Sequence, residues 1–420
     1  MTEAEPVTAE VGRRNEWLLV LFTGTTNIAD AVTKVVLPLL AVQLTSSPAL
    51  VSGVVIALTL PWLLTALHIG VFVDRHNRRS LMIGAETARM VSVAVLLLAV
   101  LLNLVSLPLI YLVALVLGVA EVVALISGAS IVPSAVPRSR WQSVTARITA
   151  VEYLCNSFLG APVGGFLVAA GFAIALGSTG LVYVAGALLL VLLTGNFAVS
   201  KVSERKSVHV EIRDGLAFLW QHKLLRGMSF LITVMAGCWA AWLALIPVYA
   251  TGPLGLDSQR YGLLLTCLGA GGVVGTVLTG PANRLLGRRW AMFVDIVGSF
   301  ALVAAPAVLP ATADSAWVIG AAAFVAGAGG TMWTVNSRVI AQSCVPQNLL
   351  GRFSSASRLI SWGMTPVAAA LAGVLAQVLG YQLAFGLFAV VCALLVIPFL
   401  RVVTTGAIAD VDKPVEVSAS

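Results

Sequence analysis

Long apolar runs, each close to the length of a membrane-crossing helix, follow one another along almost the whole chain. They lie near 17–43, 50–73, 80–103, 108–131, 144–170, 176–197, 227–250, 260–283, 289–310, 316–338, 354–378 and 383–401. About 20 consecutive apolar residues cross the hydrocarbon core as a helix, and a helix satisfies its own backbone where no water can. The twelve runs therefore predict an all-α membrane protein with twelve transmembrane helices. Composition agrees: 59% of the 420 residues are hydrophobic and 10% charged, against about a quarter charged in soluble domains. The opening MTEAEPVTAEVGRRNEW has no apolar stretch ahead of Glu16, so no cleavable leader is expected. The five cysteines stand singly in apolar runs without metal-ligand spacing, which predicts small apolar fillers and neither metal nor cofactor.

Charge orients the runs. With both termini inside, the inner segments collect Arg75, Arg78, Arg79, Arg138, Arg140, Arg284, Arg288, Arg289 and most other basic residues, while the outer loops hold only Arg260. This positive-inside bias predicts a multi-pass protein of the plasma membrane with cytoplasmic termini. The net charge of +7 then reflects topology, and no basic stripe with interleaved aromatics marks a nucleic-acid partner.

The chain also repeats itself. Gly70 and Asn77-Arg78-Arg79 recur 210 residues later as Gly280 and Gly287-Arg288-Arg289; Val136-Pro137, Gly164 and Gly171 recur 209 residues later as Val345-Pro346, Gly373 and Gly380. Such a repeat predicts two pseudo-symmetric six-helix bundles with a site near the midplane. The expected divisions are a cytoplasmic tail 1–16, a first bundle 17–198, a linker 199–226, a second bundle 227–401 and a tail 402–420. The linker places Ile212, Leu216, Leu219 and Trp220 at helical spacing, fitting a helix on the inner membrane surface or a plain amphipathic connector.

The turn after the second run reads GVFVDRHNRR. Asp74 can cap the following helix, Asn77 suits a left-handed position, and the arginines hold the loop inside. The stretch resembles the G-x-L-a-D-R-x-G-R-R signature of the major facilitator superfamily: Gly70, Asp74, Arg75, Arg78 and Arg79 match, while Phe72 and Asn77 replace Leu and Gly. The resemblance implies the major facilitator fold and a cytoplasmic gate in which Asp74 meets the start of the eleventh helix, around 351–355. A local cap is the plainer role. In the fifth run, NSFLGAPVGGFL is similar to the superfamily's antiporter motif G-P-x-x-G-G. Gly160, Gly164 and Gly165 match, Ala161 stands at the first proline, and the proline is displaced to Pro162. This similarity implies proton-driven export, and chain-wide the resemblance is to the macrolide-efflux and enterobactin-export group. Independently, small residues allow close helix packing and Pro162 predicts a kink.

Charges inside the apolar runs carry the remaining signal. Thr23, Thr26, Asn27, Asp30, Thr33 and Lys34 share one face of the first helix. A charge facing lipid costs about 2.5–3.5 kcal/mol or more, so this face should line the bundle interior. Asp30 and Lys34 are spaced to pair as i,i+4, either as a static pair or as an acid released to take a proton. Glu121 and Glu152 lack a sequence-local partner and are further proton-coupling candidates; hydrogen bonding to a neighbouring helix is their alternative. Glu86 with Arg89, and Asp295, read as parts of a cytoplasmic charge network. Asn27, Asn156, Trp239, Trp242 and Trp362 are candidate cavity residues, with packing the alternative for the tryptophans. The combined expectation is a secondary transporter, not an enzyme. It would export a hydrophobic or amphiphilic small molecule against protons, multidrug-like and monomeric, with the bilayer as its other partner. Uptake of a metabolite is the alternative; a membrane enzyme lacks a nucleophile–base constellation, and a scaffold leaves the buried acids unexplained.

Overall fold

The computed structural model describes residues 9–73, 75–195, 197, 216–346 and 349–412, and among them every regular element is helical. Each of the twelve apolar runs is occupied by helix. Ten of the helices are long and apolar enough to cross a membrane, and the shorter Pro48–Leu64 and Gly363–Leu379 fall in the second and eleventh runs. The tails 1–8 and 413–420, the linker residues 198–215 and the loop acid Asp74 lie outside the described residues.

The chain divides into two compact units, one of residues 1–205 with 243–266, the other of 206–242 with 267–420. The first contains α1 (Ala9–Leu44), α2 (Pro48–Leu64), α3 (Ala66–Val73), α4 (Arg78–Leu101), α5 (Leu107–Ala135), α6 (Trp141–Tyr153), α7 (Gly160–Ala170) and α8 (Phe172–Val191). Helix α1 packs on α5, α6, α7 and α8, and α4 packs between α5 and α8. The α1 start at Ala9 lies inside the stretch expected as a tail. The second run breaks at Thr65, where φ is −115° and both the backbone N–H and the hydroxyl bond the Pro61 carbonyl at 2.8 Å. The sixth helix stops at Val191 rather than running to 197. Asn15 accounts for that end: its amide donates to Thr194 O at 2.8 Å and its oxygen accepts the Thr194 N–H at 3.2 Å, capturing the chain as it leaves the helix.

Helices α9 (Lys223–Thr251) and α10 (Ser258–Leu285) run through the unit boundary. Helices α11 (Arg288–Val308), α12 (Ser315–Cys344), α13 (Leu350–Leu379), α14 (Tyr381–Leu394), α15 (Val396–Val402) and α16 (Thr405–Asp412) belong to the second unit. Within it α11 packs along α12 and on α14. Glycine makes that approach close: a methyl on Gly298 would lie 2.7 Å from Ala326 Cα, and one on Gly329 2.5 Å from Asp295 Cα.

The sequence repeat is also a repeat of contacts. The Arg79 guanidinium donates to Leu190 O at 2.9 Å, and Arg289, 210 residues on, donates to Leu400 O, again 210 residues on, at 3.4 Å. Gly171 and Gly380 both hold positive φ, 134° and 85°, at the junctions α7–α8 and α13–α14, where side chains are disfavoured.

Candidate functional site

The polar face of α1 turns inward. Thr23, Thr26, Asp30 and Thr33 are buried, and Asn27 and Lys34 half-buried. Three other helices supply their partners. From α4, Arg89 reaches Asp30 Oδ2 at 3.1 Å with one guanidinium nitrogen and Glu86 Oε1 at 2.5 Å with another. From α8, the Tyr183 hydroxyl donates to Asp30 Oδ1 at 2.8 Å, and the Arg89 guanidinium lies 5.7 Å from the Tyr183 ring centre. Thr26 donates to Glu86 Oε2 at 3.2 Å. From α5, Glu121 accepts Lys34 Nζ at 3.1 Å.

This corrects the expected Asp30–Lys34 pair. The two residues share a face of α1, but Arg89 and Tyr183 occupy Asp30, and Lys34 turns to α5. Glu121, expected without a local partner, has Lys34 from another helix. Glu86 and Arg89, expected in a peripheral charge network, sit at the centre, with side chains 0% and 1% exposed. Among the described interactions, the resulting network holds three carboxylates (Asp30, Glu86, Glu121) and two cations (Lys34, Arg89). Its halves differ in access: the Lys34 and Glu121 side chains are 38% and 22% exposed, the Arg89 side chain 1%. Arg89 was legible only as the i+3 neighbour of Glu86. Tyr183 lies one turn after Thr179 on a helix without charges, and that spacing alone did not single it out.

Asn27 and Asn156 are brought together: the Asn156 amide donates to Asn27 Oδ1 at 3.1 Å, and Asn27 donates to Thr23 O at 2.8 Å. Glu152 lies a turn ahead of Asn156 on α6, half-buried. Between α6 and α7, residues Leu154–Leu159 form a π-helical turn. Pro162 cannot donate to the carbonyl four residues earlier, and the ladder ahead of it widens to i+5 bonds, a form common at functional sites. The glycines of this segment form a seam. A methyl on Gly160 would press on Ala31, one on Gly164 would lie 3.0 Å from Val35 Cβ, and one on Gly165 would lie 2.7 Å from Ser258 O and 2.8 Å from Gly262 Cα.

At the start of α4, Arg78 donates to Ser130 O at 2.9 Å, in the last turns of α5, and Arg79 donates to Leu190 O and Val191 O, holding the carbonyl end of α8. Arg75 is exposed and Gly70 half-buried within α3. Asn77 is not left-handed: its φ is −63°, and its side chain caps α4 by accepting the Ser80 N–H at 3.2 Å. It thereby fills the capping role expected of Asp74, which lies outside the described residues with its expected partners' side chains at 351, 352, 354 and 355.

In the second unit Trp242 is fully buried, the packing alternative, whereas Trp239 is half-buried and donates to Ser299 Oγ at 2.9 Å. The Trp362 side chain lies outside the described ones. A cavity of about 270 Å³ opens among Ser229, Ser337, Arg338, Phe353, Ser357 and Ser361, combining hydroxyls with apolar walls.

Comparison with known proteins converges with this geometry. The sequence profile described as Major Facilitator Superfamily matches residues 19–364 and 252–416. The multidrug efflux pump Tap of Mycolicibacterium fortuitum is 24% identical over 391 residues, 89% of this chain and 92% of that protein. A chloramphenicol resistance protein of Streptomyces lividans is 32% identical over 208 residues, spanning 48% of this chain and 51% of that protein. The crystal structure of the nucleoside transporter NupG (D323A mutant) superposes with a TM-score of 0.72 at 12% identity, covering 92% of this chain and all of the other, a likeness of fold. With the profile matched along most of its length, and the loop arginines and contact repeat in both halves, the chain belongs to the Major Facilitator Superfamily and is a multi-pass membrane transporter.

Proposed function

We propose that the protein is a proton-coupled exporter of a hydrophobic or amphiphilic small molecule in the cell membrane. Its two six-helix bundles would alternate access as a monomer with cytoplasmic termini. The observation that carries this reading is the network's charge: three carboxylates face two cations. Fully ionised, the group has one surplus negative charge among apolar helices, where unbalanced charge is costly. One proton balances it. This reading assigns the proton to Glu121, in the more exposed pair. Once Glu121 is protonated, Lys34 is free to turn to Asp30, one helical turn away, so proton uptake changes which helices α1 is tied to. The hydroxyl-lined cavity of the second unit suits an amphiphilic substrate. The names of the two relatives, a multidrug efflux pump and a chloramphenicol resistance protein, support export and a drug-like substrate.

The test is accumulation of chloramphenicol, macrolides and lipophilic dyes in cells making the protein, with and without a protonophore. Reduced accumulation that a protonophore, Asp30→Asn and Glu121→Gln each abolish is the expected result. Accumulation that rises in expressing cells reverses the direction. Export that survives both substitutions and the protonophore removes the network from coupling.

A further inference from the structure

The second unit contains a buried acid that the network above does not use. Asp295, on α11, is 2% exposed. Its described hydrogen-bond partner is the Ser299 hydroxyl, one turn along, which donates to Oδ1 at 3.2 Å. Ser299 Oγ in turn accepts the Trp239 indole N–H at 2.9 Å. A chain of hydrogen bonds thus runs from the half-buried indole through one hydroxyl to the carboxyl.

The elements packed against Asp295 bring no charge to it among the described residues. Helix α12 presents Gly329 and Gly330, and a methyl on Gly330 would lie 3.7 Å from Asp295 Oδ1. Helix α9 presents Trp239, next to the buried thiol of Cys238, which faces Phe388 O. Helix α14 presents Cys392, whose thiol donates to Ile296 O at 3.8 Å. The described side chains of α16, residues 405–408, are uncharged. The described salt bridges of Lys and Arg leave Asp295 without a cation. This contrasts with Asp30 and Glu86, which share Arg89. An ionised carboxylate so enclosed is unfavourable unless a cation joins it.

We propose that Asp295, hydrogen-bonded by Ser299, is a second proton-binding site, independent of the Asp30–Arg89–Glu121 network, so that each unit holds its own exchangeable proton. This rests on proton coupling only for its use in transport; proton binding itself needs neither substrate nor direction. The test is infrared difference spectroscopy of the purified full-length protein across a pH series without substrate, following the C=O stretch of protonated carboxyls. The expected result is a band that fades as pH rises, vanishes in Asp295→Asn, persists in Asp30→Asn and Glu121→Gln, and shifts in Ser299→Ala. Spectra of Asp295→Asn that match wild type at every pH overturn the site. So does a band assigned to Asp295 that never changes while the protein stays folded, which makes the acid a fixed structural group. If Asp295→Asn does not fold, Ser299→Ala decides, and an unshifted band overturns the proposal. Loss of proton-driven export with this band intact would instead count against the first network alone.

Discussion

Arg89 holds two acids, and its loss should be felt first in stability. Its side chain is 1% exposed and joins Asp30 and Glu86. Removing one partner of a buried ion pair costs about 3–5 kcal/mol, because the charge left behind has neither water nor a cation. Arg89→Ala is therefore expected to lower unfolding free energy by that amount, read by denaturant titration of the purified protein, and Glu86→Gln added to it should recover part. Lys34→Met removes a partner from a pair that is 38% and 22% exposed, so the charge left behind is less enclosed and a smaller loss, about 0–1 kcal/mol, is expected. Equal losses in the two variants would show that burial does not separate the halves of the network. The polar face of α1 was legible because its spacing lies within one helix. The pairing was not: local spacing offers Lys34 to Asp30, whereas Arg89, Tyr183 and Glu121 arrive from helices 59, 153 and 87 residues away from their partners on α1.

Among elements, the fifth crossing tests whether its glycines matter for space or for flexibility. A methyl on Gly165 would meet backbone atoms, Ser258 O at 2.7 Å and Gly262 Cα at 2.8 Å, and backbone cannot turn aside as a side chain can. Gly165→Ala should thus cost about 1–3 kcal/mol, as overpacking does, with a matching loss of folded protein in fluorescence-detected size exclusion. Gly70→Ala is the contrast. Nothing lies within 4 Å of a methyl there and the residue is helical, so the variant should be neutral or gain about 0.5–1 kcal/mol. A Gly70→Ala variant as unstable as Gly165→Ala would mean that Gly70 is needed for something other than room. Helix positions were readable because apolar runs of this length have few other solutions in a membrane. The π turn at Leu154–Leu159 was not, since Pro162 announces a kink without saying how the carbonyl ladder will adjust. Nor was the early end of α8, which depends on Asn15 reaching across from α1.

For the whole molecule, the repeat conserves how loops are fastened and lets the charges diverge. Arg79 and Arg289 each hold the carbonyl end of a helix that follows at the same distance along the chain, but the first unit buries an acid–base network where the second has Trp239, Ser299 and Asp295. Duplicated fastening and unshared chemistry imply that the fastenings act separately. Arg79 makes two carbonyl bonds, one at 2.9 Å, while Arg289 has one at 3.4 Å. Hydrogen bonds from a charged group contribute about 1.5–3 kcal/mol, and a longer, single bond contributes less. Arg79→Ala should therefore destabilise by about 1–3 kcal/mol and Arg289→Ala by less. Since the two sites share no partner, the double variant should lose the sum to within about 0.5 kcal/mol. Denaturant titration of the four proteins closes this cycle. A coupling above about 1 kcal/mol would mean that the loops report on one another through the rest of the molecule, as loops that stabilise a common conformation do, and the repeat would then be a paired device rather than two independent clasps.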